Sequence, residues 1–258
     1  MDTRPIGIFD SGVGGLTVLA EIKQTLPNEN IIYMGDTANF PYGDKCKEDI
    51  IKFAKKMVKT LIQKKVKIIV VACGTATSQA LDILKKEFNI PIVGIIEPTV
   101  EYVKKQKYNK IGVIATEGTI RSNAWEIALK SKIKDIQVIN KACPMLATIA
   151  EEGRATSKEG RQVIKEYMKP FKEKKVDKII LGCTHYPIYE KIIREEFEYE
   201  IELIHTGTTV ANYLKENLFR NNMQNTLEKD LEVVYLTKPE KYFKEIAKNI
   251  LNFEIEIK

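Results

Sequence analysis

Hydrophobic and polar positions fall along this chain in blocks, and one block occurs twice. Residues 64–75 and residues 174–185 each run from a basic turn through an unbroken β-branched and aliphatic stretch to a cysteine followed by small polar residues. A short apolar run without alternation, bounded by polar residues, predicts a strand buried on both faces, as in a parallel sheet. Cys73 in the first copy and Cys183 in the second then stand at the carboxyl ends of their strands, where open α/β sheets place their ligand crevices. One such cysteine in each half of the chain points to a symmetric site between two half-molecules.

The remaining pattern fits this frame. Residues 4–9 predict a first strand running into Asp10-Ser11-Gly12-Val13-Gly14-Gly15, and Leu16, Leu19, Ala20 and Ile22 give a helical stripe that Pro27 closes. Residues 31–34 predict a second strand ending in Gly35-Asp36-Thr37, and residues 39–44 a turn-rich loop that can be neither regular element. Phe53, Ala54, Met57, Val58, Leu61 and Ile62 lie on one helical face leading to the Cys73 strand. A helix over 77–88 and a strand over 92–95 complete four strands alternating with helices, the signature of a doubly wound parallel sheet.

The pattern then restarts. Residues 110–114 echo residues 5–9 at an offset of 105, the same offset sets Ile136 on Ile31, and the two cysteines are offset by 110. Three strands in matching order predict a duplicated unit, with helices over 119–130 and 157–174. Beyond Cys183 the pattern predicts a helix over 188–198, a strand over 201–204, a helix over 207–218, a strand over 231–236, a helix over 239–250 and a final alternation over 253–257. The expected architecture is α/β, with two pseudo-symmetric doubly wound parallel-sheet domains and the active site between them. The first domain comprises residues 1–97 plus 209–258 and the second residues 98–208, joined by crossings near residues 97 and 208.

Composition narrows the function classes. The 258 residues are 44% hydrophobic and 29% charged, an ordinary soluble balance, and no stretch approaches the roughly 20 apolar residues of a membrane span. No signal-peptide pattern precedes the first strand. The net charge of +6 comes from lysines interleaved with acids rather than from a basic stripe with aromatics, so neither nucleic acid nor membrane is an expected partner. Four cysteines without close pairs suit a reducing, cytoplasmic setting with catalytic or structural thiols, and neither a disulfide framework nor a metal ribbon.

A lone cysteine at a strand end is commonly a small buried hydrophobe; a matched pair, each followed by hydroxyl residues (Thr75, Thr184), points to chemistry. Gln79 and Tyr189 occupy the positions where a phosphatase loop needs arginine. Two thiols facing each other across a cleft suit proton transfer at a carbon stereocentre, one as thiolate taking a proton from one face, the other as thiol delivering one to the opposite face. His185, two residues from Cys183, is a candidate thiol tuner, whereas His205 reads as a loop histidine. The glycine-rich turn lacks both the P-loop and the full dinucleotide fingerprint. It reads as a tight turn presenting Asp10 and Ser11, its amides aimed at an anion such as a substrate carboxylate. Asp36 reads equally as a turn aspartate or a functional one, and Cys46 and Cys143 as structural.

Residues 6–17, the Pro41-Tyr42-Gly43 loop, Ala72-Cys73-x-Thr75 and residues 182–187 together resemble bacterial glutamate racemases, within the wider aspartate/glutamate racemase superfamily. The resemblance runs from the first strand to beyond residue 210. It implies a two-base racemase with no cofactor and no metal, interconverting L- and D-glutamate to supply peptidoglycan synthesis, often as a homodimer. By motif match Cys73 deprotonates D-glutamate and Cys183 L-glutamate. Asp10 assists Cys73, while His185 and Glu151, the first acid of Ala150-Glu151-Glu152-Gly153, assist Cys183. Asp10, Ser11, Tyr42, Gly43, Gly74, Thr75, Thr184 and His185 hold the substrate, with Thr116 and Thr119 as further candidates. Two departures stand out. The family usually carries asparagine where this chain has Gly74, which opens the alternative of a related racemase or isomerase acting on another small acid such as aspartate. The family also often has an aspartate near His205. A non-catalytic anion-binding module built on the glycine-rich turn is the third reading, disfavoured by its incomplete fingerprint.

Overall fold

Uninterrupted apolar runs become parallel strands, and the helices between them cover both faces. The computed structural model describes residues 1–227, 232–239, 243–251, 253 and 255–258. The first unit runs β1 (Ile6–Asp10), α1 (Leu16–Thr25), β2 (Ile31–Gly35), α2 (Lys47–Gln63), β3 (Ile68–Val71), α3 (Gly74–Glu87), β4 (Ile92–Gly94) and α4 (Ile96–Lys105). The second runs β5 (Lys110–Ala115), α5 (Glu117–Arg121), α6 (Ala124–Lys132), β6 (Gln137–Ala142), α7 (Pro144–Glu151), α8 (Lys158–Glu173), β7 (Lys178–Leu181), α9 (Glu190–Glu195), β8 (Glu202–His205) and α10 (Thr206–Arg220). The tail adds β9 (Glu232–Leu236), α11 (Phe243–Ile250) and β10 (Glu256–Ile257).

Two parallel sheets result, in strand order β10-β9-β2-β1-β3-β4 and β6-β5-β7-β8. The order 2-1-3-4 therefore repeats, as expected of a duplicated unit. The register corrects one detail. Ile6 pairs with Ile31, but the corresponding Ile111 pairs with Val138 rather than with Ile136. A slip of two residues keeps alternate side chains on the same face, so the apolar pattern alone cannot detect it. β9 joins the edge of β2, Ile32 opposite Val233, and brings the tail back to the first sheet.

Helices α1, α10, α4 and α6 pack in succession, and one apolar layer takes in side chains from both sheets, including Ile8, Val70, Val113 and Ile180. Two further layers cover the outer faces, α2 and α3 on the first sheet and α7, α8 and α9 on the second. Within the shared layer the buried Thr99 and Thr209 hydroxyls meet at 2.7 Å, linking the two helices in which the chain crosses between sheets.

Several elements differ from the sequence expectation. The helix expected over 119–130 is two helices, separated where Asn123 takes a left-handed conformation (φ 57°). The expected 188–198 helix is a 3-10 turn (Tyr186–Tyr189) followed by the short α9, and residues 39–44 form 3-10 turns (Thr37–Asn39, Tyr42–Asp44) around a cis Phe40–Pro41 bond. No helix is expected at α4 or α7, yet both form, with Pro98 and Pro144 in the first turn, where a missing N–H costs nothing. Residue 231 of the expected strand, residues 240–242 of the expected helix and residue 254 of the expected alternation lie outside the described residues.

One buried charge fastens the amino edge of the first sheet. Lys67, 1% exposed, pairs with the Glu29 carboxylate and donates to the Asp2 carbonyl (2.8 Å) and the Met223 carbonyl (2.7 Å). Glu29 in turn accepts the Asn225 N–H at 2.8 Å. The N-terminus, the loop between α1 and β2 and the segment after α10 thus converge on one ammonium group.

Candidate active site

The carboxyl ends of β1 and β3 face those of β5 and β7, and the two cysteines lie there, 5% and 6% exposed. Cys73 occupies the N-cap of α3, where its sulfur accepts the Ala76 N–H (3.5 Å) and its thiol reaches Ser11 Oγ (3.6 Å). Behind it Asp10, fully buried at the end of β1, accepts the Gly12 N–H (3.0 Å) and the Thr184 hydroxyl (3.2 Å). Thr184 belongs to the other half, so this bond crosses the cleft.

Cys183 has a different escort. His185 Nδ1 lies 3.6 Å from its sulfur, and His185 Nε2 lies 2.8 Å from Glu151 Oε1 at the end of α7. The same Glu151 oxygen accepts the Val13 N–H (2.9 Å) from the glycine-rich turn. Two amides of that turn are therefore occupied by the protein's own carboxylates, Asp10 and Glu151, rather than presented as an empty cradle. Close approach also explains its glycines. A Cβ at Gly12 would stand 2.2 Å from Glu151 Oε1, and one at Gly14 2.6 Å from the His185 ring. Phe40 completes this side, its ring centroid 5.7 Å from that of His185.

Thr75, Thr116 and Thr119 form a buried hydroxyl cluster between the halves, Thr75 to Thr116 at 2.8 Å and Thr116 to Thr119 at 2.9 Å. Gly43 adjoins it: a Cβ there would meet the Thr116 Cβ at 3.0 Å. Tyr42 is buried and donates its hydroxyl to Asp36 Oδ2 (2.6 Å). Asp36 also accepts the Asn39 amide and the Thr237 hydroxyl, so its carboxylate serves to hold the 37–45 strap. Gly74 lies directly against Gly182 of the other half. His205 pairs with Glu190 (3.0 Å), part-exposed and apart from this cluster. Cys143 is buried at the end of β6, and Cys46 is exposed beside Asp49.

The family profile described as Asp/Glu/Hydantoin racemase matches residues 6–214. The chain belongs to this racemase family. It is 42% identical to the glutamate racemase of Lactococcus lactis subsp. cremoris (strain MG1363), over 98% of this chain and 93% of that one, and 41% identical to that of Aquifex aeolicus (strain VF5), over 98% and 96%. Among solved structures, a glutamate racemase isoform of Bacillus anthracis superposes with a TM-score of 0.95 at 36% identity, covering 100% of this chain and 97% of that one. The Francisella tularensis glutamate racemase in complex with D-glutamate superposes at 0.92 and 37% identity, with the same coverage. An aspartate racemase of Picrophilus torridus, at 18% identity, a TM-score of 0.62 and coverage of 83% and 94%, shares the fold.

For a racemase the electrostatics of the two sides are unequal. Burial, reinforced by the Asp10 charge, pushes the Cys73 thiol up to about 12, so it is protonated at neutral pH. Burial also raises Asp10 to about 6, partly offset by the His185 charge and the Gly12 N–H. His185 runs the other way. Burial alone would lower it, but its bonds to Cys183 and Glu151 outweigh that and hold it well above the ordinary histidine value. A positive imidazolium thus stands 3.6 Å from the Cys183 sulfur, while the opposite sulfur, Cys73, carries its proton.

Phe40, an aromatic in a loop without periodicity, has no functional place in the sequence reading, and the amides of the glycine-rich turn are read there as meeting a substrate anion rather than Glu151. Gly182 was visible as the residue before Cys183 but not as a contact. Among the described residues no helix is long and apolar enough to cross a membrane, and no group of three His, Cys, Asp or Glu side chains is placed to hold a metal.

Proposed function

We propose that this protein interconverts L- and D-glutamate by passing a proton between Cys73 and Cys183 through the substrate Cα, with no cofactor required by the chemistry. The observation that carries this reading is the pair of buried thiols, one per half, each with its own polar escort. With L-glutamate bound, the Cys183 thiolate, stabilised by the His185 cation and through it by Glu151, takes the α-proton. The Cα electron pair is then protonated from the opposite face by the Cys73 thiol, giving D-glutamate and a Cys73 thiolate. The reverse reaction exchanges the roles, with Asp10 and Ser11 beside the Cys73 sulfur. Carrying a proton at rest suits Cys73 to the donor role in the L-to-D direction.

In this reading Ser11, Tyr42, Gly43, Gly74, Thr75, Thr184, Asp10 and His185 hold the substrate, with Thr116 and Thr119 as further contacts, a role supported by the Thr75–Thr116 and Thr184–Asp10 bonds between the halves. The D-glutamate complex of the Francisella tularensis relative and the glutamate racemases at about 40% identity favour glutamate over aspartate. The same reading places the enzyme in the cytoplasm, as a homodimer supplying D-glutamate for peptidoglycan. It divides the chain into residues 1–97 plus 209–258 and residues 98–208, a division supported by the return of β9 to the first sheet.

Proton NMR of single-enantiomer glutamate with purified protein in D₂O tests the reaction. Loss of the α-proton signal with growth of the opposite enantiomer on chiral chromatography is the expected result. Faster turnover of aspartate would reassign the substrate, and silence with every amino acid would overturn racemisation.

A further inference from the structure

We infer that Thr17 is a positioning residue that seats the His185 imidazole beside Cys183, by tying the peptide that carries the ring to the turn on which the ring rests. The inference rests on the two-thiol reading above and adds a residue outside the thiols and their direct escorts. Thr17 lies in the first turn of α1, in the first half of the molecule. Its hydroxyl stands 3.0 Å from the Thr184 carbonyl oxygen of the second half and 2.9 Å from the Gly14 carbonyl oxygen of its own. Thr184 follows Cys183 and precedes His185, so the cross-half acceptor belongs to the peptide plane that ends at the His185 nitrogen.

The two acceptors are the two supports of one ring. A Cβ at Gly14 would stand 2.6 Å from His185 Cε1 and Nδ1, so the imidazole lies directly on the Gly14 backbone. It hangs from the Thr184–His185 peptide. One hydroxyl therefore joins the floor under the ring to the peptide from which the ring extends, and the planarity of that peptide passes the constraint to the His185 Cα. The ring's own contacts, Nδ1 towards Cys183 at 3.6 Å and Nε2 towards Glu151 at 2.8 Å, set its rotation. The Thr17 bond sets where its backbone stands.

This hydroxyl suits placement more than stability. It carries one proton and has a second acceptor within its own turn, so breaking the cross-half bond strands no donor. A cavity of about 260 Å³, lined in part by Thr17, Pro187 and Ile188, adjoins it, with room for a water to serve the Thr184 carbonyl once the hydroxyl is removed. Loss of the hydroxyl thus costs the fold little while releasing the His185 peptide from α1. A bond of this kind shifts an equilibrium by up to about ten-fold, here the one between a seated and an unseated imidazole.

Racemisation kinetics and NMR spectra of isotope-labelled histidine, for wild type, Thr17→Val and Thr17→Ser, test this. The chain has two histidines, and the His205 signal is identified by its loss in His205→Gln. The expected result for Thr17→Val is a kcat lower by about ten-fold with KM changed less than about three-fold. Its His185 signal should also lose its proton at lower pH than in wild type, because the bonds to Cys183 and Glu151 hold that proton. Thr17→Ser keeps the hydroxyl and should behave as wild type in both. Unchanged kcat or an unchanged His185 titration in Thr17→Val, or a Thr17→Ser as slow as Thr17→Val, would overturn the inference. An inactive wild type would count against the racemase reading, and the histidine spectra would still decide the seating. Should Thr17→Val not fold, Thr17→Ala removes the same donor and is decided by the same outcomes.

Discussion

Glu151 Oε1 lies 2.8 Å from His185 Nε2 and accepts the Val13 N–H with the same oxygen. The carboxylate thereby orients the imidazole and keeps it charged beside Cys183. Glu151→Gln keeps the shape and removes the charge. Its expected effect is a kcat lower by about 10²- to 10⁴-fold, the range of general acid–base assistance. Because the carboxylate is one of the groups that raise His185, the alkaline limb of the pH–rate profile should also move to lower pH. A profile of kcat against pH for the variant checks both.

Either thiol alone cannot complete the exchange. Cys73→Ala and Cys183→Ala should each lower racemisation by at least about a thousand-fold. Both side chains are small and buried, so the far-ultraviolet circular dichroism spectrum should be unchanged. Chiral chromatography of overnight reactions provides the measurement.

Asp10 makes stability depend on pH in an uncommon direction. Its folded value of about 6 lies above the ordinary 3.8, so the folded protein holds this proton more tightly than the unfolded chain. The resulting stabilisation, on the order of 3 kcal/mol, is complete below about pH 4 and is lost as pH rises through about 6. Cys73, raised from 9.0 to about 12, adds a second decline across that alkaline window, and His185, also raised, contributes stability that is lost as pH climbs above its ordinary 6.5. Asp10→Asn should flatten the acid-side decline. Urea midpoints of wild type and variant between pH 4 and 7 test the sign.

Lys67 and Glu29 form a buried pair far from the cysteines. Lys67→Met removes the cation and leaves the Glu29 carboxylate uncompensated, which costs about 3–5 kcal/mol. Lys67→Met with Glu29→Gln should recover part of that. Urea denaturation measures the loss, and kcat at 25 °C should be unaffected while the protein remains folded.

Much of the framework was legible because a buried parallel strand has few other ways to be written. The paired runs before Cys73 and Cys183 and the order of the alternating elements pointed to a duplicated α/β unit. Two helices escaped because Pro98 and Pro144 look like breakers until their place in the first turn is known. The β6 register escaped because a two-residue slip leaves the pattern intact. At the site, spacing alone brought out the cysteines, Asp10, Ser11 and His185, while Glu151 came only from resemblance, being one of two adjacent acids with no periodic mark. The glycine-rich turn was read as waiting for an anion from outside, although the anion it meets, Glu151, belongs to the same chain 138 residues away. Contacts of that kind exist only after the halves have met.

That last contact joins the assembly of the halves to the chemistry. Val13 belongs to one half and Glu151, His185 and Cys183 to the other, while the Thr184 hydroxyl reaches back to Asp10. Each half thus lends one hydrogen-bond donor to the carboxylate that serves its neighbour's sulfur, so Glu151 and Asp10 are fully hydrogen-bonded only when the halves are together. The joint between the halves and the acid–base apparatus are in this sense one piece of structure, and a change that loosens the first also loosens the second.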